Sequence, residues 1–162
     1  MDNRDLADRS HLVEREEYID EETWETIVQS MPIPSVDLVV KCPEGILLGK
    51  RANEPAKGEW FIPGGRIQKG EPLREAVHRI AEEELGIEVT IERSLGAYDH
   101  FYDASDVPES GGKHYIAHAY VVSATECDVI GDDQHSELRV FETIPSGLHS
   151  HVKIYFSEAN VI

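Results

Sequence analysis

Three consecutive glutamates close a predicted helix that directly follows a loop of glycines. The helix is predicted to begin at Pro72, which suits the first helical position, and to end before Gly86, where a left-handed cap is expected. Glu84 lies four residues after Ile80 and so falls on the apolar side of this helix, where an unpaired carboxylate is costly. The glutamate run also opposes the helix dipole, which is negative at this end. A bound cation would remove both costs, so the pattern predicts a divalent metal site.

The loop and the helix together would position this carboxylate. Four residues with special backbone preferences mark the loop, namely Pro63, Gly64, Gly65 and Gly70. Apolar residues near the 3.6-residue period give the helix a face to bury, and they are Leu73, Ala76, Val77 and Ile80. The sequence therefore predicts a tight turn that runs into one amphipathic helix.

This stretch resembles the Nudix box, in which glycine, glutamate, arginine, paired glutamates and a final glycine recur at fixed spacing. One position departs, because the glutamate that follows the arginine is replaced here by Ile80. The resemblance implies a hydrolase whose helix carboxylates hold divalent ions against a pyrophosphate, and Ile80 lowers the expected number of ions. Oxygen ligands favour magnesium, with manganese as a possible substitute. The positions in register are Gly65, Glu71, Arg79, Ala81, Glu83, Glu84, Gly86 and Ile87.

Segments outside the box resemble one Nudix branch more closely, the GDP-mannose mannosyl hydrolases. That branch also carries an aliphatic residue in place of the second box glutamate, as Ile80 does here. The similarity runs from about residue 35 to residue 156. The matching segments are 48–71, 100–103, 114–115 and 132–135.

The resemblance implies a role for each matching residue. The metal would be held by the Gly64 carbonyl, the Glu84 carboxylate and the Gln134 side-chain carbonyl. His135 would be the general base, a role that suits an imidazole because it titrates near neutral pH. The role of Glu83 stays open. The remaining contacts would come from Arg51, Arg66, Arg79 and Tyr115 on the diphosphate, and from Asp37 and His100 near the sugar or its leaving oxygen.

The expected activity is magnesium-dependent hydrolysis of a GDP-sugar, GDP-mannose or GDP-glucose, by attack of water on the anomeric carbon. The products would be GDP and the free sugar, and the preference for guanine follows from the resemblance alone. A second hypothesis is cleavage of the pyrophosphate to a nucleoside monophosphate and a phosphorylated product. A third is a ligand-sensing module without turnover, which the presence of Glu84 and His135 disfavours.

Composition excludes several classes of partner. The chain has 162 residues, of which 40% are hydrophobic, and this fits one globular domain. Its formal net charge of −17, from 32 acidic and 15 basic residues, would repel nucleic acids and anionic membranes. The acidity is typical either of an ordinary acidic protein or of adaptation to high salt, where charges are screened. The charged N-terminus lacks the apolar core of a secretory signal, so a cytoplasmic enzyme is expected.

Two cysteines and two charged residues have more than one interpretation. A disulfide framework is not expected from Cys42 and Cys127, and Cys42 is interpreted as a small packing residue. Asp37 lies within an apolar strand, so it either faces water or meets a partner in a site. By its position alone, Arg51 at the end of the next strand is ordinary surface charge.

The order of the predicted elements indicates an α+β fold, a Nudix-like mixed β-sheet sandwiched between helices. Residues 1–19 are expected to be a flexible N-terminal extension, and residues 20–162 a single Nudix hydrolase domain. The first helix would either pack on this domain or contact a second copy, and the resemblance suggests a homodimer. Helices are predicted at 20–31, in the box and at 148–159, and strands at 35–41, 46–51, 60–63, 88–93, 95–101, 114–122 and 138–141.

Overall fold

A mixed β-sheet forms the centre of the computed structural model, which describes residues 19–52, 57–103, 107, 111–128 and 135–160. Within these residues the strand order is β3-β2-β1-β6-β5, with β4 also paired to β1 and β7 to β2. The central strands β1 and β6 are parallel, and the other pairs are antiparallel. The strands are β1 (Ile33–Cys42), β2 (Gly45–Arg51), β3 (Trp60–Phe61), β4 (Gly64–Arg66), β5 (Thr90–Tyr102), β6 (Lys113–Ser123) and β7 (His135–Phe141).

In the described part of the chain three helices pack around this sheet, and the predicted α+β sandwich is confirmed. They are α1 (Glu21–Ser30), α2 (Leu73–Ile80), which continues as a π-helical turn over Ala81–Leu85, and α3 (Ser150–Ala159). Successive residues of a strand point to opposite faces. In β1, Leu38 packs with the α2 side of the core and Val39 packs with the α3 side. The predicted extension at residues 1–19 falls almost entirely outside the described residues.

The helix of the box has the predicted cap but not the predicted start. Gly86 adopts the left-handed conformation with φ 67°, and its N–H bonds the carbonyl of Glu82 at 3.0 Å. Pro72 is extended and lies just before the helix, because the backbone turns helical at Leu73. The last turn is π-helical, so a strict 3.6-residue period does not describe where its glutamates point.

Two predictions about strands are wrong. The two predicted segments, 88–93 and 95–101, are joined in one strand, β5, which begins at Thr90 and keeps its pairing to β6 through irregularities at Ile91/Arg93 and Ser94/Gly96. Gly96 adopts φ 97° within this strand, a conformation that glycine accepts. In the sequence, a glycine at this position indicates the end of a strand instead. The glycine loop contains a short strand, β4, that pairs with β1.

The expectation for the cysteines is also wrong, because Cys42 and Cys127 form a disulfide. The two residues are 85 apart in sequence, with Cα atoms 5.9 Å apart. Parallel pairing of β1 and β6 places Lys41 opposite Ser123, and this brings the two strand ends together. Because the two cysteines are far apart in sequence, the sequence pattern does not indicate that the folded strands bring them together.

The first helix begins as predicted and packs on the domain through one face. The Asp20 carboxylate accepts the Thr23 N–H at 2.9 Å, which caps the helix. Val28 is buried against Ile33, whereas Met31, which follows the helix, is 53% exposed. Among the described residues, no helix is both long and apolar enough to cross a bilayer.

Candidate active site

The glycine loop lies directly against Asp37. In the β1–β4 pair Asp37 is opposite Gly64, and a Cβ added to Gly64 would lie 2.3 Å from Asp37 Oδ1 and 2.6 Å from the Val36 carbonyl oxygen. A side chain at position 64 would therefore collide with backbone. The Asp37 side chain is 19% exposed, so of the two interpretations of this residue the structure supports a partner in a site.

Glu84 reaches the same loop from the π-helical turn. A Cβ on Gly65 would lie 3.2 Å from Glu84 Oε1 and 3.1 Å from Ile80 Cδ1. Glu84 Oε2 is enclosed and accepts no hydrogen bond from the described residues, although Glu84 makes another interaction in the structure. An enclosed carboxylate oxygen beside a glycine loop is suited to a hard cation.

The donors in this region fit magnesium better than a transition metal. Within the described parts of the chain, no group of three or more histidine, cysteine, aspartate or glutamate side chains could hold a metal ion. Magnesium does not require such a cage, since it keeps several waters and binds through one or two carboxylates plus substrate phosphates. Glu84 and the loop at Gly64 could supply the protein ligands. Gln134, the third predicted ligand, lies outside the described residues.

Arg79 connects the loop to the helix instead of projecting into open space. Its guanidinium binds Glu71 through Nε at 2.6 Å and Nη2 at 3.0 Å, and Nη2 also donates to the Arg66 carbonyl at 2.9 Å. Nη1 donates to Glu83 at 3.1 Å. Four of the five guanidinium N–H donors are thereby used inside the protein. The contact between Arg79 and a diphosphate stays a prediction, and it depends on one remaining N–H.

Arg66 and Tyr115 belong to a group of cationic and aromatic side chains beside the glycine loop. The Arg66 guanidinium carbon is 5.8 Å from the centroid of the Trp24 ring, and Lys113 Nζ is 5.3 Å from the same centroid. Lys113 Nζ is also 5.8 Å from the centre of the Tyr115 ring. Burial, followed by the charge of Arg79, lowers the pKa of Arg66. Trp24 and Lys113 were not among the predicted site residues.

Arg51 and His135 lie opposite each other on β2 and β7. Burial raises the pKa of Asp37, and the positive charge of Arg51 partly opposes this rise, as expected for a guanidinium near that carboxylate. The contact between Arg51 and a diphosphate stays a prediction. The backbone of His135 starts β7 at this position, and its side chain is outside the described part of the structure.

A hydrogen-bonded row of side chains extends from Asp37 into the core between β5 and α3. Tyr155 Oη donates to Asp37 Oδ2 at 2.6 Å, and His100 Nε2 lies 2.5 Å from the same Tyr155 oxygen. His100 Nδ1 lies 2.7 Å from His151 Nδ1. His100 Nε2 is 3.8 Å from Asp37 Oδ2, so the two residues predicted near the sugar are brought together.

Neither Tyr155 nor His151 was among the predicted site residues. A tyrosine on the inward face of a helix fits packing equally well, so the pattern of α3 contained no signal for its hydroxyl. The spacing of His149 and His151 was a usable signal, because two imidazoles at the start of a helix are unusual in a packing role. In the structure their ring centroids are 4.4 Å apart.

Burial shifts the acid–base behaviour of this row. It raises the pKa of Asp37 to about 6, against the opposing effects of the Tyr155 hydrogen bond and of Arg51. It lowers the pKa of His100 to about 4, and burial together with the neighbouring imidazoles lowers the pKa of His151 to about 4. Burial also raises the pKa of Tyr155. Both imidazoles are therefore neutral at neutral pH.

Comparisons with known proteins find similar sequences and a similar fold. The NUDIX domain family matches residues 31–145. The low-salt glycan biosynthesis protein Agl8 of Haloferax volcanii is 50% identical over 137 residues, which cover 85% of this chain and 88% of that protein. The ADP-ribose pyrophosphatase of Methanocaldococcus jannaschii is 30% identical over 125 residues, 76% of this chain and 70% of that one. The crystal structure of a MutT NUDIX hydrolase from Burkholderia pseudomallei superposes with a TM-score of 0.64 at 31% identity, covering 80% of this chain and 98% of the other.

Proposed function

The chain belongs to the Nudix family, and on that premise we propose that this hydrolase cleaves a GDP-sugar to GDP and free sugar by attack of water at the anomeric carbon. The observation that carries the proposal is the position of Asp37. Its carboxylate lies against Gly64 of the box and within 3.8 Å of His100, so a second set of acid–base groups adjoins the loop that would hold a pyrophosphate.

Ile80 supports attack on carbon over attack on phosphorus. It is fully buried in the core, and its Cδ1 lies 3.1 Å from the position of a Gly65 Cβ, where a carboxylate at position 80 would also point. The helix thus offers fewer carboxylates that could activate water beside a phosphorus atom. The proposed base is His135, outside the box, whose Cα lies across the strand pair from Arg51.

The other residues have proposed roles in binding. Gly64, Glu84 and Gln134 would hold Mg²⁺, or Mn²⁺, which when bound neutralises charge on the departing diphosphate. Arg51 and Arg66 would bind the diphosphate oxygens through their planar donors, with further contacts from Tyr115 and the remaining N–H of Arg79. Asp37 and His100 would contact the sugar or its leaving oxygen.

The relatives support two activities in different ways. The Haloferax relative is named for glycan biosynthesis, a process for which a nucleotide sugar is a suitable building block, and it is the more similar of the two at 50% identity. The relative from Methanocaldococcus is named an ADP-ribose pyrophosphatase, at 30% identity. Pyrophosphate cleavage to a nucleoside monophosphate is accordingly the second candidate.

One assay separates these activities. The protein is incubated with GDP-mannose and magnesium in ¹⁸O-water, and the products are separated and weighed by mass spectrometry. We expect GDP and mannose, with the label in the sugar and none in GDP. GMP with mannose 1-phosphate would overturn the proposal in favour of the pyrophosphatase. Saturable binding of GDP-mannose without any product would instead favour a sensing module.

A parallel incubation with ADP-ribose controls for substrate choice. Because both substrates contain a diphosphate bridge, a pyrophosphatase would release a nucleoside monophosphate from each. The proposed enzyme requires a leaving diphosphate attached to an anomeric carbon of a sugar. We expect turnover of GDP-mannose to exceed that of ADP-ribose, and faster cleavage of ADP-ribose to AMP would contradict the proposed substrate class.

A further inference from the structure

The hydrogen-bonded row behind Asp37 has one consistent donor direction. An ionised carboxylate only accepts, so the single hydroxyl proton of Tyr155 is given to Asp37 Oδ2. The Tyr155 oxygen must then accept from its other neighbour, which means that His100 carries its proton on Nε2. A neutral imidazole has one donor and one acceptor, so His100 Nδ1 accepts and His151 Nδ1 donates. Every bond in the row points toward Asp37.

Contacts from neighbouring aromatic rings hold His151, at the end of the row, in place. His151 lies between the ring of Tyr102, at 4.9 Å between centroids, and the ring of His149, at 4.4 Å. His149 Nδ1 accepts the His151 backbone N–H at 3.1 Å, which fixes the start of α3 relative to His151. Tyr155 is 1% exposed and His100 is 5% exposed, so water has little access to replace the bonds between them.

The row also determines which oxygen of Asp37 faces the glycine loop. Tyr155 occupies Oδ2, and the atom closest to the space above Gly64 is Oδ1, 2.3 Å from a hypothetical Cβ. Without the tyrosine hydroxyl, the carboxylate would lose the bond that sets its rotation. His100 would lose the acceptor that selects its Nε2–H tautomer.

We propose that Tyr155 and His151 are positioning residues of the active site, which together fix the Nε2–H tautomer of His100 and orient Asp37 Oδ1 toward the substrate. The proposal rests on the proposed function, in which Asp37 and His100 lie at the sugar. Neither Tyr155 nor His151 touches the substrate in it. Their contribution is to the chemical step, because the arginines proposed to bind the diphosphate lie on other elements, β2, β4 and α2.

Two variants of one aromatic cluster test the kinetic part. Tyr155→Phe removes the hydroxyl and keeps the ring. Tyr98→Phe is the matched control, because its ring contacts Tyr155 at 5.0 Å while its own hydroxyl bonds the Leu95 carbonyl at 3.3 Å, outside the row. Loss of a hydrogen bond to a charged group predicts a fall in kcat of about 10- to 100-fold for Tyr155→Phe, with KM nearly unchanged. The control is expected to retain the wild-type kcat.

A second measurement does not depend on turnover. In protein labelled with ¹⁵N-histidine, NMR at neutral pH distinguishes a protonated ring nitrogen from an unprotonated one. We expect wild-type His100 to carry its proton on Nε2. In His151→Phe, which keeps an aromatic ring but removes the donor to His100 Nδ1, and in Tyr155→Phe, we expect a mixture of His100 tautomers.

The outcomes separate this proposal from the proposed function. A wild-type His100 protonated on Nδ1, or a tautomer unchanged in both variants, would overturn the positioning role whatever reaction is catalysed. Equal kcat in Tyr155→Phe and wild type would do the same. GMP as the product would overturn the proposed function alone, because the tautomer result does not depend on which bond is broken.

Discussion

Removing the carboxylate of Glu71 should destabilise the protein far more than removing that of Glu83, although both bind Arg79. Glu71 is 2% exposed at its side chain, and its carboxylate accepts hydrogen bonds from the Gln68 backbone N–H at 3.1 Å and from Arg79 Nε and Nη2. Glu83 is 50% exposed and accepts one bond from Arg79 at 3.1 Å. Arg79 thus forms one buried ion pair and one exposed ion pair, and the two can be compared within the same protein.

The expected loss of folding free energy in each variant follows from how deeply the deleted carboxylate is buried. Deleting one partner of a buried ion pair costs about 3–5 kcal/mol, because a charge is left without compensation. Arg79 is 18% exposed and keeps its bond to Glu83, so we expect Glu71→Ala to lie near the lower end, at about 3 kcal/mol. An exposed pair four residues apart on a helix is worth about 0.3–0.5 kcal/mol, which is the expected cost of Glu83→Ala.

Urea denaturation of the two variants and the wild type measures this difference. We expect the midpoint to fall strongly for Glu71→Ala and slightly for Glu83→Ala, with similar slopes. Potassium chloride should reduce the small effect and leave the large one, because screening acts mainly on exposed charges. Equal losses in the two variants, or a loss below about 1 kcal/mol for Glu71→Ala, would show that burial of the Glu71–Arg79 pair does not set its contribution.

Four further predictions concern activity, pH and salt. Glu84→Gln should lose most activity while unfolding at the wild-type temperature, and excess chelator should abolish turnover of the wild type. His135→Gln should lower kcat by about 10²–10⁴-fold if it is the base, and a near-normal rate would remove it from that role. Burial lowers the pKa of His100 from its ordinary value of 6.5 to about 4 in the folded chain, so the unfolded chain binds this proton first and the contribution of His100 to stability falls as pH drops from 6.5 toward 4. At pH 5 this amounts to about 2 kcal/mol, which His100→Asn should abolish and His78→Asn, on the exposed side of α2, should not. The unfolding temperature should rise from low to molar potassium chloride, where the screening length is about 3 Å, because the chain carries a net charge of −17.

The sequence predicted the parts of the structure that depend on local pattern. The left-handed cap at Gly86 and the inward face of the box helix follow from residue types at short spacing, and the structure contains both. Glu84 and Ile80 both lie against Gly65, on one side of the helix as expected, although the turn that carries Glu84 is π-helical. The flexible extension, the homodimer and the role of Gln134 stay predictions.

The features that were missed depend on contacts between distant segments. The Cys42–Cys127 disulfide requires the parallel pairing of β1 and β6, which no local pattern reveals. The continuity of β5 requires that β6 tolerate two irregularities in pairing, whereas a sequence pattern shows an interruption. The short strand β4 has no strand signal of its own and forms because β1 offers a partner for the glycine loop.

The residues of the box have two kinds of role, structural and chemical, and the sequence pattern does not show which residue has which. Glu71 and Arg79 bind each other, and Ile80 is buried in the core, so these three positions hold the loop against the helix. Glu84 is the box carboxylate that lies against the loop with an enclosed oxygen. A match to the box therefore predicts the scaffold and one metal ligand, but it does not predict which bond is broken. In the proposed mechanism that choice belongs to Asp37, which β1 supplies from outside the box and which the Tyr155 hydroxyl orients.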